Sequence, residues 1–120
     1  MSWVFDSGQP IYLQLVQQLK LRILTGVYPP GSRFPTVREL AVEAQVNPNT
    51  MQRAMAELEA LGLLRTERTS GRFVTADEAL LAEGKQKLAA EHIGEFFRRM
   101  RDLGYSAEKA LALAAKQGGI

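Results

Sequence analysis

The sequence predicts a mainly α-helical chain with one small β-hairpin, an N-terminal winged helix-turn-helix followed by two C-terminal helices. Three observations predict it. Apolar residues recur at helical spacing through residues 10–61 and break only at Pro/Gly-rich or Asn-Pro punctuation. Two short strand-like runs split by Ser-Gly follow the third of these segments directly. A second helical pattern then fills most of residues 77–117.

In order, "PIYLQLVQQLKLRILTG" places Ile11, Leu15, Leu19 and Ile23 on one stripe, with Val16 and Leu24 beside it. Pro10 suits the first helical position and Gly26 the stop. "VYPPGSRFP" is a connector that cannot be helical. "TVRELAVEAQ" is a short helix opened by a capping box. Thr36 and Glu39 stand three apart, so each side chain can satisfy the other's backbone N–H. Its apolar face is Val37, Leu40, Ala41 and Ala44.

"VNPNTMQRAMAELEALG" starts a third helix over about 48–61. Asn47 is the N-cap, Pro48 the first helical residue and Gly62 the stop. Met51, Met55, Leu58 and Leu61 form its core stripe, and Val46 plugs the preceding turn. Two helices joined by so tight a turn are a helix-turn-helix. Leu63–Glu67 and Arg72–Thr75, joined through "RTSG", supply the hairpin that makes it winged. Residues 77–103 read as one long helix, weakened at Gly84 and Gly94 and stopped at Gly104. Ser106 caps a last helix, "AEKALALAAKQ". The domain reading is therefore 1–75 for the winged helix and 76–120 for a helical appendage.

Composition bounds the function. The chain has 120 residues, 46% hydrophobic and 23% charged, which suits one small domain with an appendage and not a disordered chain. With no cysteine, disulfide frameworks and Cys-based zinc sites are excluded. One histidine (His92, read as a polar-face residue), no phosphate loop and no metal-ligand cluster leave no catalytic constellation. The expectation is a chain that is not an enzyme and uses no cofactor or metal. "MSWVFDSGQP" has no basic region leading into an apolar run, and no stretch reaches the ~20 apolar residues of a membrane span. The expected location is the cytoplasm. Residues 1–75 carry eight Lys/Arg against six Asp/Glu, whereas 76–120 carry seven of each. A polyanion would thus be met by the N-terminal part.

The front of the third helix gives that polyanion a chemistry. With Met51, Met55 and Leu58 toward the core, Asn49, Arg53 and Ala56 point away at 100° per residue, flanked by Thr50 and Gln52. Asn and Gln can bond adenine edges, Arg guanine, and Thr a phosphate or thymine methyl. A recognition helix reads bases from its N-terminal residues, where these lie. Arg38, on the solvent side of the second helix, can reach a phosphate or pair with Glu39 or Glu43. Thr36 is mainly a cap whose backbone neighbours can hold phosphate. In the wing, Gly71 permits a tight turn and close approach, and Ser70 and Arg72, with Arg68, are candidate groove contacts.

These residues resemble the GntR family of bacterial transcription regulators, most nearly its YtrA-type branch. The resemblance is carried, in this order, by "PIYLQLVQQLKLRILTGVYPPGSRFPTVRELA", "VNPNTMQRAMAELEALGLL" and "SGRFV", about residues 9–75. It implies a dimeric repressor on an inverted-repeat operator, often ahead of an ABC-transporter operon that includes the regulator's own gene. By position it implies Arg38 as the arginine of the family's "RELA" element, Gly71 as the wing glycine, and Asn47, Asn49, Thr50, Gln52 and Arg53 as the recognition-helix start. The chain departs twice. Asn47-Pro48 stands where many relatives have Ser/Thr-Arg. Thr69 and Arg72 flank the wing where Gly-x-Gly is common.

Two helices do not easily enclose a drug-sized pocket, so the C-terminal stripe is expected to pair with a second copy. Leu88, Ile93, Phe96, Phe97, Met100, Leu103 and Leu111, with Ala114, are the expected dimer surface. The competing reading is a winged helix used for protein interaction without DNA. That reading calls for an apolar or acidic front on the third helix, which is not present here. Sensing of a small-molecule effector by the C-terminal helices stays open beside the DNA reading.

Overall fold

The computed structural model describes residues 2–118. The elements are α1 (Ile11–Leu24), α2 (Val37–Ala44), α3 (Pro48–Ala60), β1 (Leu64–Glu67), β2 (Gly71–Val74), α4 (Glu78–Asp102) and α5 (Ala107–Gln117). Each predicted element is present, with ends shifted by a residue or two. Pro10 is one such shift: it precedes α1 as its N-cap instead of opening it as the first helical residue. The chain divides into two compact units, Met1–Ala82 and Glu83–Ile120, and the division falls inside α4.

In the first unit α3 packs on α1 and α2. Leu15, Leu19, Leu40, Met51, Met55 and Leu58 are essentially sealed from solvent. Each such side chain contributes about 1.5–3 kcal/mol by leaving water. The capping box is present: Glu39 N–H donates to Thr36 Oγ1 at 3.1 Å, and Thr36 N–H to Glu39 Oε1 at 3.1 Å. Between α2 and α3 the chain turns through Gln45 in the left-handed region (φ 57°). Val46, half-buried, donates its N–H back to Ala41.

β1 and β2 pair antiparallel with Leu64 opposite Val74 and Thr66 opposite Arg72. The connector "SRF" adds itself to this hairpin. Phe34 N–H donates to the Arg72 carbonyl at 2.8 Å and Val74 N–H to the Ser32 carbonyl at 2.9 Å, which sets Arg33 against Phe73. This third edge was not evident from "VYPPGSRFP", where Pro/Gly punctuation masks the extended tripeptide.

The segment before α1 is also pinned. Gln14, Gln18 and Arg22 recur every four residues along one face of α1, and each donates to a backbone carbonyl: Asp6 and Gln9, Val4, and Ser2 respectively. Arg22 is buried, stacked 3.8 Å from the Trp3 ring and 3.6 Å from Glu43.

In the second unit, α4 runs unbroken through Gly84 and Gly94. Gly104 (φ 92°) turns the chain after it. Ser106 then caps α5 by accepting from Lys109 N–H. Phe96 and Phe97 meet edge to face at 5.2 Å, and Ala110 is fully buried. Of the expected dimer surface, Leu88, Phe96, Phe97 and Met100 are half-buried. Ile93, Leu103 and Leu111 stand 56%, 72% and 59% exposed. No described helix is long and apolar enough to cross a membrane.

Candidate nucleic-acid interface

Asn47, as predicted, caps α3: its side-chain oxygen accepts from Asn49 N–H at 2.8 Å, and Pro48 follows at the first helical position. Pro fits there because its missing N–H has no helical partner to lose. This start fixes the rotation of α3. Met51, Ala54, Met55 and Leu58 are buried, Asn49, Gln52, Arg53 and Ala56 exposed, and Thr50 lies between.

Arg53 does more than project. Its guanidinium lies 3.8 Å from the centre of the Tyr12 ring on α1. A cation over an aromatic face is held with its donors still free at the edges. Tyr12 escaped the sequence reading because nothing local to "PIYLQ" links it to a residue forty-one positions on. Only the packing of α1 on α3 does so.

Arg38 is exposed and forms no ion pair among the described residues. Both acids that could have claimed it are occupied. Glu39 is held in the capping box, and Glu43 accepts from Trp3 Nε1 at 2.8 Å beside Arg22. The Thr36 backbone N–H chiefly, then its hydroxyl, hold the Glu39 carboxyl below its ordinary range.

The wing sorts its side chains by face, because residues two apart on a strand point the same way. On one face, Thr66 and Arg72 are cross-strand partners, and both reach Glu59 at the end of α3. Thr66 Oγ1 and Arg72 Nε each donate to Glu59 Oε1 at 2.6 Å. The Thr66 hydroxyl first, then Arg72, keep the Glu59 carboxyl below its ordinary range despite partial burial. Arg72, expected as a groove contact, therefore already has a partner: it ties the wing to α3, with its side chain 21% exposed. On the other face, Arg65 pairs with Glu67 and lies over Phe73 at 5.1 Å.

Gly71 has φ 102°, a conformation that L side chains rarely adopt. A Cβ built there would also sit 3.3 Å from Arg33 Nη2. Arg33, Thr36, Val37, Arg68, Ser70 and Arg72 are among the walls of a cleft of about 330 Å3 between the start of α2 and the wing. Thr36, Ser70, Gly71 and Arg72, expected separately as contacts, thus meet at one cleft. Asn49, Thr50, Gln52 and Arg53 occupy the front of α3. Arg33 is the cleft residue the sequence reading passed over. Among the described residues no group of three His, Cys, Asp or Glu is placed to hold a metal ion.

The chain matches the profile of the bacterial regulatory proteins of the gntR family over residues 11–74. It is 39% identical to the HTH-type transcriptional regulator YhcF of Bacillus subtilis (strain 168), over 89% of this chain and 88% of the relative. It is 36% identical to the HTH-type transcriptional repressor YtrA of the same organism, over 86% and 80%. Among solved structures it is similar to a GntR family transcriptional regulator from Listeria monocytogenes. The TM-score is 0.87 at 38% identity, covering 93% of this chain and 98% of that one. It is also similar to the AraR DNA-binding domain in complex with operator ORE1. There the TM-score is 0.53 at 27% identity, covering 62% of this chain and 94% of that one.

Proposed function

The chain belongs to the GntR family and is a DNA-binding transcription regulator, not an enzyme; on that premise we propose that it is a cytoplasmic homodimeric repressor of an inverted-repeat operator. The observation that carries this reading is the front of α3, where Asn49, Gln52 and Arg53 stand exposed beside an uncommitted Arg38. Residues 1–75 are the DNA-binding part and 76–120 the dimerisation part. The YtrA relative is named a repressor, and the AraR domain is described on an operator, which supports both the sign of regulation and the double-stranded partner.

In the proposed complex the start of α3 enters the major groove. Asn49, Gln52 and Arg53 face base edges, Thr50 a phosphate or thymine methyl, and Arg38 and the amides near Thr36 the backbone. Asn47 works by fixing the helix start. Ser70 and Gly71 bring the wing against the duplex. Ile93, Leu103 and Leu111, exposed in the second unit, supply with Leu88, Phe96, Phe97 and Met100 the surface for a second copy. A two-fold dimer repeats the recognition helix about one DNA turn, ~34 Å, or a multiple away. An operator ahead of an ABC-transporter operon that contains its own gene extends this proposal.

The test is selection of bound sequences from random duplex DNA with purified protein. The expected product is two inverted half-sites at fixed spacing, with log affinity falling linearly with log salt. Recovery of a single half-site would remove the dimer, and no enrichment would remove sequence-specific reading.

A further inference from the structure

The wing was expected to meet DNA through Ser70, Gly71 and Arg72, with Arg68, and of these Arg72 is paired with Glu59. Arg65 on the opposite face is tied to Glu67. Arg33, which belongs to neither strand, is placed differently. Backbone hydrogen bonds on both sides of it, Val74 N–H to Ser32 and Phe34 N–H to Arg72, seat it as the third edge of the hairpin. Its side chain runs across Gly71, so that a Cβ there would lie 3.3 Å from Nη2, 3.7 Å from Cζ and 3.8 Å from Nε. The guanidinium therefore lies along the bare backbone of the wing turn. It is exposed, and it makes no ion pair or side-chain hydrogen bond with any described residue. Of the nearby acids, Glu39 is held mainly by the Thr36 backbone and hydroxyl, with Arg33 adding a smaller charge attraction, and Glu67 pairs with Arg65.

We propose that Arg33 is a phosphate contact of this protein, a cation that the wing and the α1–α2 connector jointly present to the duplex backbone, in the same cleft as the wing's exposed Arg68. The proposal rests on the DNA-binding reading above. Its physical basis is that an exposed guanidinium in a cleft beside the recognition unit, outside any internal ion pair, meets an anionic rod without first breaking one. Gly71 then has two duties, the positive φ of the turn and the flat seat for Arg33. A phosphate contact fixes register and carries no sequence information. Arg33 therefore adds affinity for the selected operator and for random duplex alike.

The experiment compares wild type, Arg33→Gln and Arg33→Lys on the selected operator and on a random duplex across a salt series. Arg33→Gln should weaken both duplexes by the same factor and flatten the log–log salt slope by about 1.8 for the dimer, one counterion for each protomer's Arg33. Arg33→Lys should keep the wild-type slope. An unchanged affinity and slope in Arg33→Gln, or weakening confined to the operator, would overturn the proposal. Independently, wild-type protein is treated with phenylglyoxal and its arginines are mapped by mass spectrometry. Arg33 should react in free protein and be protected by saturating duplex, an outcome that does not depend on any variant folding. Equal reactivity with and without duplex overturns it. If wild type binds no duplex at all, the DNA-binding reading has failed instead.

Discussion

Arg53 shows what a single residue gains from its surroundings. A free arginine side chain loses rotamer entropy when it docks on a base. Here the Tyr12 ring at 3.8 Å already restricts it while leaving its N–H fork available. Removing Arg53 should therefore cost a base contact: Arg53→Ala is expected to weaken operator binding by about 1–3 kcal/mol and relax selectivity at one base position. Tyr12→Ala should reproduce part of that loss at the same position, and Tyr12→Phe should not, because the aromatic face survives. Competition with single-base operator variants measures both. If the specific-to-nonspecific ratio is unchanged in Arg53→Ala, Arg53 does not read a base.

At the scale of the element, the wing is held to α3 by one carboxylate oxygen that accepts from Thr66 and Arg72 together. Glu59 is the acid of that clamp, and its folded pKa is depressed. A depressed carboxylate contributes stability that is present above its unfolded pKa and is lost as pH falls through the folded value. The wing should thus loosen toward α3 on the acid side of the ordinary carboxylate range and stay fast at neutral pH. Hydrogen exchange of the β1–β2 amides, compared with the α1 amides, reads this directly. Glu59→Gln should remove most of the pH dependence of wing protection, and a variant with the wild-type profile would show that the clamp is not the cause. The element also explains a glycine. Gly71 was legible as a turn residue, but its second constraint, Arg33 lying across it, comes from a segment nearly forty residues earlier.

At the scale of the molecule, the first unit runs to Ala82, seven residues past the end expected from the hairpin. The reason lies in the first turn of α4. Asp77 caps it by accepting from Leu80 N–H, Leu81 is buried, and Leu80 reaches the space over Gly62. A truncation meant to isolate the DNA-binding part should therefore retain residues 1–82. We expect it to stay folded, sediment as a monomer, and bind one half-site with weak affinity, since the second recognition helix is then lost. A truncated protein that still dimerises in sedimentation would remove the dimerisation role from the second unit.

Much was determined by local physics that the sequence writes out directly. Thr36 with Glu39, Asn47 with Pro48, Gly62 and Ser106 mark helix ends by backbone hydrogen bonds that need no distant partner. The Met51–Met55–Leu58 spacing then fixes which way α3 turns, and with it the exposed Asn49, Gln52 and Arg53. What tertiary structure alone decided is how the cations are partnered. Whether an arginine is free or tied depends on which carboxylate the packed elements bring near it. Arg22 is sealed against Trp3, Arg72 is tied to Glu59, Arg53 rests on Tyr12, and Arg33 is free over Gly71. Charge is a property of the residue, but its availability to a phosphate is a property of the fold. That is why the exposed front of α3 could be read from "VNPNTMQRAM" and the placement of Arg33 over Gly71 could not.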